Sequence, residues 1–147
     1  MQWDEYFMNM ADLVASKSKD RSSKIGCIIV GPKHEVRSTG YNGICRSVND
    51  DVDERHEKPE KYFWFEHAER NALYNAARNG IPMEGCTAYI AGKHPPCADC
   101  TRGLIQSGIS RVVIRSNINE ANTIWTDSFS RSMAMFKESG VELNYHE

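Results

Sequence analysis

Two short motifs place metal-ligating and acid–base side chains close together in the chain. His67-Ala68-Glu69 forms the first, and Pro96-Cys97-Ala98-Asp99-Cys100 forms the second. Two thiols separated by two residues at a helix start can face one point, where free N–H groups favour thiolates. With His67 they provide one nitrogen and two sulfur donors, a set suited to Zn²⁺. The spacing therefore predicts a zinc site made by His67, Cys97 and Cys100.

Glu69 would give this predicted site a chemical function. Three protein ligands leave the fourth tetrahedral position of zinc open to water, as in catalytic sites. Bound zinc lowers the pKa of that water to roughly 7, and a carboxylate two residues beyond His67 can take its proton and pass it on. Alone, the two cysteines also fit a redox motif or half of a structural zinc site, and Glu69 fits a solvated helix position. The combination favours a catalytic site with Glu69 as proton carrier.

The elements around the two motifs must bring them together. Apolar periodicity and stop signals predict helices over about residues 3–17, 66–79, 97–107 and 127–139. Short apolar runs predict strands over about 25–30, 36–41, 86–91, 111–115 and 141–145, whereas the polar segment 42–65 is predicted to be irregular. This order predicts an α/β fold, a three-layer α/β/α sandwich around a mixed five-stranded sheet. Both motifs would then open helices at the same end of the sheet.

Composition limits the class of protein. The chain has 147 residues, a formal net charge of −2 and 40% hydrophobic residues, which predicts one domain over residues 1–147. It has no apolar run of about 18 residues and no signal-peptide layout, so we expect no membrane span and a cytoplasmic location. Five cysteines are an odd number, which argues against a disulfide scaffold, and the strand patterns around Cys27 and Cys86 predict core thiols. The near-neutral charge favours a small-molecule partner over a long nucleic acid.

With these motifs the sequence resembles the cytidine and deoxycytidylate deaminase superfamily, over about residues 19–145. H-x-E paired with P-C-x-x-C is the signature of zinc deaminases. The segments most similar to the deoxycytidylate branch are Ser18–Asp20 with Lys24–Gly26, Ser38–Gly43, Glu66–Ala72 and Gly85–Tyr89. The resemblance implies hydrolysis of dCMP to dUMP and ammonia, with one zinc ion held by His67, Cys97 and Cys100 and with Glu69 as proton shuttle.

The resemblance also implies roles for residues around the base. Asn42 would bind the sugar or the base edge, the N–H of Ala68 would contact the base O2, and the Pro95 carbonyl would accept from the 4-amino group. His94 stands where the family usually has a larger apolar residue. It lies either in a surface loop or against the base, where it would alter selectivity.

Phosphate and effector recognition is the least defined part of the resemblance. A phosphate calls for Arg or Lys at the pocket rim. The candidates, each of which also fits a solvated or structural charge, are Lys24, Arg46, Arg70, Arg102 and Arg115. The family further implies dCTP or dTTP as an effector near Arg46, with Mg²⁺ accompanying it, and a homo-oligomer, specifically a hexamer. Trp64, Phe65 and Trp125 either stack on a base or pack in the core or an interface.

Three alternative functions remain open at this point. The same chemistry would serve a deaminase of dCTP or of a modified cytosine nucleotide. A tRNA adenosine deaminase shares both motifs in a chain of similar size, although a tRNA binder should carry a basic face. A non-catalytic domain organised by zinc would recruit a fourth protein ligand and would need no positioned carboxylate.

Overall fold

The computed structural model describes residues 1–115 and 125–147. Its helices are α1 (Trp3–Ala15), α2 (Lys61–Trp64), α3 (Ala68–Arg78), α4 (Ala98–Gln106) and α5 (Thr126–Ser139). Its strands are β1 (Gly26–Val30), β2 (Val36–Tyr41), β3 (Gly43–Ile44), β4 (Phe65–Glu66), β5 (Thr87–Ala91), β6 (Arg111–Arg115) and β7 (Glu142–His146). Each predicted helix and strand is present, with ends within two residues of those expected.

Five strands form one mixed sheet in the order β2-β1-β5-β6-β7. Strand β1 runs antiparallel to both β2 and β5, whereas β5, β6 and β7 pair in parallel. Four of the five strands therefore point the same way, and only β1 runs against them. Because α3 connects β2 to β5 and α4 connects β5 to β6, both helices begin at the same end of the sheet.

Helices cover both faces of the sheet, as the predicted sandwich requires. Helix α1 packs on one face, where Phe7 and Met8 belong to a buried cluster with Ile28 and Val113. Helices α3, α4 and α5 cover the opposite face, and their core side chains include Ala72, Leu104 and Phe136. Strand β1 is buried along its whole length because both of its faces are covered.

The segment 42–65 is not irregular throughout, which corrects the expectation from its polar composition. Strands β3 and β4 pair antiparallel through Gly43 with Glu66 and Ile44 with Phe65. A 3₁₀ turn over Asp53–His56 and the four-residue helix α2 lie between them. The β3–β4 pair closes this segment into a loop whose end leads directly into α3.

Gly40 allows β2 to lie close against α3. A Cβ atom there would lie 2.3 Å from the backbone nitrogen of Ala72 and 2.5 Å from the carbonyl oxygen of Ala68. Backbone atoms cannot move aside as a flexible side chain can. The glycine therefore sets the distance between the sheet and the helix that begins at the first motif.

Cys27 and Cys86 are fully buried, as the strand patterns around them predicted. Cys45, the third thiol outside the two motifs, is exposed. Within residues 1–115 and 125–147, no helix has the length and apolar content to cross a bilayer.

Candidate active site

Each motif contains the residue that directly precedes a helix. His67 is the N-cap of α3 and Cys97 is the N-cap of α4, each in extended backbone conformation. The Cys97 sulfur accepts a hydrogen bond from the backbone N–H of Cys100 at 3.5 Å. Such N-termini carry free N–H groups and the positive end of the helix dipole, which stabilise thiolates.

The side chains of His67, Cys97 and Cys100 converge on one point. The Nδ1 atom of His67 lies 3.4 Å from the Cys97 sulfur and 3.3 Å from the Cys100 sulfur. The three donor atoms all lie within 4.8 Å of one another, and among the described residues this is the group that satisfies a metal-site geometry. Both cysteines are buried and His67 is half-buried. One imidazole nitrogen and two sulfurs fit a zinc ion with a fourth position left for another ligand.

The contact between the two thiols moves their pKa values apart. A hydrogen bond from Cys100 and a second from His67 outweigh burial and lower the pKa of the Cys97 thiol to about 4. The same contact raises the pKa of the Cys100 thiol, together with its burial. The bond to Cys97 raises the pKa of His67, against the effect of burial. Negative charge therefore collects at this cluster and favours a cation.

Glu69 lies beside the cluster and is 5% exposed. Burial raises the pKa of its carboxyl, although the neighbouring His67 opposes that effect. A buried carboxyl with a raised pKa is unusual for a solvated helix position and typical of groups that carry protons. No side-chain hydrogen bond in the described residues engages this carboxyl.

Arg70 supplies positive charge near the thiols. Its Nε donates to Glu66 Oε1 at 2.6 Å, and its Nη1 lies 3.5 Å from Asp99 Oδ2. The same Glu66 oxygen accepts the backbone N–H of His67 at 2.9 Å. Burial lowers the pKa of Arg70, but Cys100 and Glu66 outweigh it and the net shift is upward. Glu66 and Arg70 thus link the start of α3 to the first turn of α4.

Helix α5 holds the loop that carries the cysteines. The Ser128 hydroxyl accepts the backbone N–H of Ala98 at 2.7 Å, and the Ser132 hydroxyl donates to the Pro96 carbonyl at 2.7 Å. Both hydroxyls satisfy backbone groups that a helix start or a proline-rich loop leaves unpaired. Sequence reasoning missed these serines, since their spacing from the cysteines carries no signal.

Comparison with known proteins gives this geometry its context. Residues 1–116 match the family model described as the cytidine and deoxycytidylate deaminase zinc-binding region. The chain belongs to the cytidine and deoxycytidylate deaminase family.

Relatives and solved structures agree with that assignment. A protein of Aliivibrio fischeri, described as an uncharacterized deaminase in the luxG 3′ region, is 36% identical over 145 residues, covering 98% of this chain and 93% of its own. The human deoxycytidylate deaminase is 36% identical over 122 residues, covering 80% of this chain and 66% of its own, slightly under two thirds. The dCMP deaminase of cyanophage S-TIM5, solved with dCMP and dUMP, has a TM-score of 0.76 at 25% identity, covering 97% and 95% of the two chains.

Ala68, Pro95 and His94, which were predicted to contact the base, are next to the two motifs in the chain. Ala68 is the buried first residue of α3, and Pro95 is buried just before the cysteine motif. The His94 ring stacks on Phe129 of α5, with centroids 5.6 Å apart, and its Nδ1 is buried without a hydrogen-bond partner among the described residues. Burial lowers the pKa of His94, and the nearby Lys93 and Lys58 lower it further.

Asn42 makes a full set of internal contacts. Its Nδ2 donates to the Ser23 carbonyl at 2.8 Å and to Asp20 Oδ2 at 3.3 Å, and its Oδ1 accepts the N–H of Ile25 at 2.9 Å. The side chain thus holds the loop before β1 against the end of β2. A contact between Asn42 and a substrate stays a prediction, and it would use the second lone pair of Oδ1 or displace one of these partners.

Three residues predicted to bind phosphate do not lie together at the His67 cluster; these are Lys24, Arg46 and Arg115. Lys24 and Arg115 line an open cavity of about 330 Å³ beside α1, where Arg115 forms an ion pair with Asp12. Arg46 donates to Asn75 Oδ1 at 2.8 Å on the surface of α3. Phosphate or effector binding by these residues stays a prediction.

Among the aromatic residues, Trp125 lies at the cluster. Its ring is edge-on to that of His67, with centroids 5.8 Å apart and planes at 76°. Trp64 is covered by the guanidinium of Arg55 at 3.8 Å from the ring centroid, and Phe65 contacts His56. The sequence predicted the same two possible roles for all three residues, base stacking or packing. In the structure Trp125 contacts a candidate metal ligand, whereas Trp64 and Phe65 contact side chains of the 3₁₀ turn.

Proposed function

We propose that this chain catalyses the hydrolytic deamination of dCMP to dUMP and ammonia. The observation that carries the proposal is the buried Glu69 carboxyl beside the convergent donors of His67, Cys97 and Cys100. A purely structural zinc site would have no use for such a carboxyl and would recruit a fourth protein ligand. Family membership and the similarity to deoxycytidylate deaminases support dCMP as the substrate.

His67, Cys97 and Cys100 would hold the zinc ion in this proposal. Zinc held there supplies an activated water molecule as the nucleophile that adds to C4 of the cytosine. Helix α4 favours thiolate ligands at Cys97 and Cys100, since both lie at its N-terminus. Arg70 compensates part of the negative charge that two thiolates and Glu69 place in a buried region.

Glu69 would carry the protons of the reaction. It takes a proton from the attacking water and delivers it to N3 of the ring. It then takes the proton of the resulting C4 hydroxyl and passes it to the 4-amino group, which leaves as ammonia. Burial raises the pKa of this carboxyl, which strengthens it as a proton acceptor. The carbon that lost the amine becomes the C4 carbonyl of uracil, so one water is consumed for each ammonia released.

Backbone groups at the helix starts would orient the base. The N–H of Ala68 lies in the first turn of α3 and has no helical acceptor, so it is available to the base O2. The Pro95 carbonyl would accept from the 4-amino group. We further propose that the protein acts as a homo-oligomer in the cytoplasm and that a nucleotide effector with Mg²⁺ binds near Arg46, as family resemblance suggests.

A substrate panel tests the proposal. Zinc-loaded protein is incubated separately with dCMP, dCTP, deoxycytidine and a tRNA anticodon arm, and the deaminated products are quantified. We expect dUMP from dCMP at the highest kcat/KM. Turnover of dCTP or of the tRNA in preference to dCMP would replace the proposed substrate, and no turnover of any nucleotide would contradict the proposed reaction.

A further inference from the structure

Lys61 and Asp20 form a buried ion pair that has no role in the proposed reaction. The Lys61 ammonium is 2.9 Å from Asp20 Oδ2 and 3.1 Å from Oδ1, and the two side chains are 10% and 5% exposed. Asp20 also accepts the backbone N–H groups of Ser22 and Ser23, at 2.8 and 3.1 Å. Removing both charges from water costs free energy that their attraction does not always recover. Stability alone is therefore a weak reason for this pair.

Lys61 is the first residue of α2, which has four residues. A helix this short contributes little stability of its own, so contacts with other parts of the chain determine its position. Lys61 ties it to the loop before β1 through Asp20 and lies 5.1 Å from the ring centroid of Phe65, which follows the helix. The ion pair is therefore one of the contacts that position the remaining side chains of α2.

The next residue on α2 faces the candidate active site. The Tyr62 ring is edge-on to Trp125, with centroids 5.7 Å apart and planes at 86°. Trp125 is in turn edge-on to the candidate metal ligand His67 at 5.8 Å. The Tyr62 side chain is 37% exposed. Two aromatic rings thus extend outward from His67, and a buried ion pair fixes the outer one.

We propose that Tyr62 and Trp125 form an aromatic wall that binds the base of the substrate, and that Lys61 and Asp20 are positioning residues that hold this wall at His67. The inference rests on the proposed deamination of a nucleobase. Aromatic rings bind planar bases through stacking, with little dependence on base identity. The aromatic wall would orient the ring of the base, while the backbone groups of Ala68 and Pro95 would form hydrogen bonds with its edge. Neither Lys61 nor Asp20 would touch the substrate.

A pair of double variants tests the positioning role. Asp20→Asn with Lys61→Met removes both buried charges, so that no unpaired charge is left behind. The matched control is Lys19→Met with Asp50→Asn, because that pair joins the same two segments at 3.0 Å but is 66% and 35% exposed. We expect the first double variant to raise the KM for dCMP by about tenfold, the scale of one lost stacking contact, and the control to leave it within about twofold.

Tyr62→Ala supplies the test of mechanism. If the ion pair acts through Tyr62, this variant raises KM as much as the buried double variant does, and the triple variant shows no further rise. Additive effects would overturn the proposed route. Tyr62→Ala buries no unpaired charge, so it also serves if the buried double variant does not fold. An unchanged KM in Tyr62→Ala would overturn the aromatic wall.

Fluorescence separates this proposal from the proposed reaction. A protein with Trp3→Phe, Trp64→Phe and Glu69→Gln keeps Trp125 as its only tryptophan and is used to measure binding without turnover. We expect dCMP to quench that fluorescence. Turnover by the wild type without quenching would overturn the wall and leave the reaction standing. A wild type that neither turns over nor binds nucleotides would overturn both.

Discussion

The hydroxyl of Ser132 on α5 donates to the carbonyl oxygen of Pro96 over 2.7 Å, and both groups are buried. Pro96 directly precedes the first cysteine of the candidate metal site. The hydrogen bond therefore holds the cysteine loop against a helix that contributes no ligand of its own.

We expect Ser132→Ala to lower the free energy of unfolding by about 1–3 kcal/mol, because it leaves the Pro96 carbonyl buried without a partner. Ser139→Ala is the matched control, since the Ser139 hydroxyl also donates to a carbonyl, that of Phe136, but at the exposed end of α5. Urea unfolding measures both variants, and the control should change by less than about 0.5 kcal/mol. Equal losses in the two variants would contradict this role for Ser132.

Gly40→Ala should destabilise the protein, whereas Gly43→Ala should not. A Cβ at Gly40 meets the backbone of α3 at 2.3 and 2.5 Å, whereas one at Gly43 meets no heavy atom within 4 Å. Forcing β2 away from α3 should cost about 1–3 kcal/mol or more. Thermal unfolding compares the two variants, and the close approach of β2 to α3 is wrong if both unfold at the wild-type temperature.

Cys100→Ser should lower the zinc content of the purified protein, because a hydroxyl is a poor replacement for a thiolate ligand. Cys45→Ser replaces an exposed thiol outside the candidate site and should leave the zinc content unchanged. Elemental analysis after dialysis measures zinc per chain in both variants. A full zinc content in Cys100→Ser would exclude that residue as a ligand.

Acid should weaken the fold partly through Asp20. Burial raises the pKa of this carboxyl, but the Lys61 ammonium and the N–H groups of Ser22 and Ser23 outweigh burial and lower it below its usual value. The folded protein then binds this proton less readily than the unfolded chain does. Asp20 therefore contributes stability above about pH 4 and loses that contribution as the pH falls further.

We expect the free energy of unfolding to fall more steeply between about pH 5 and about pH 3 in the wild type than in Asp20→Asn. Urea titrations at several pH values measure the two slopes. Parallel slopes would show that the Asp20–Lys61 pair does not titrate with folding.

Local patterns were enough to predict the fold and the ligand cluster. Period and stop signals marked the four longer helices and the five strands of the main sheet, and the two-residue spacing of Cys97 and Cys100 marked a helix start. These features depend on residues close together in sequence. Because the strands that α3 and α4 connect point the same way, the starts of both helices lie at the same end of the sheet.

Contacts between distant segments could not be predicted in the same way. Lys61 lies 41 residues from its partner Asp20, and Ser132 lies 36 residues from Pro96. Neither contact produces a periodic pattern of residue types in the sequence. Helix α2 is too short for a recognisable pattern, so the polar segment around it gave no sign that Tyr62 would reach Trp125.

The most direct test of the proposed chemistry compares the zinc-loaded wild type with Glu69→Gln on dCMP. The amide keeps the shape of the side chain but cannot carry the proton, and the zinc content of the two proteins is measured alongside. We predict stoichiometric dUMP and ammonia from the wild type and a rate about 10²–10⁴-fold lower from the variant at equal zinc content. A variant that keeps the wild-type rate, or a wild type that forms no dUMP, would contradict the account.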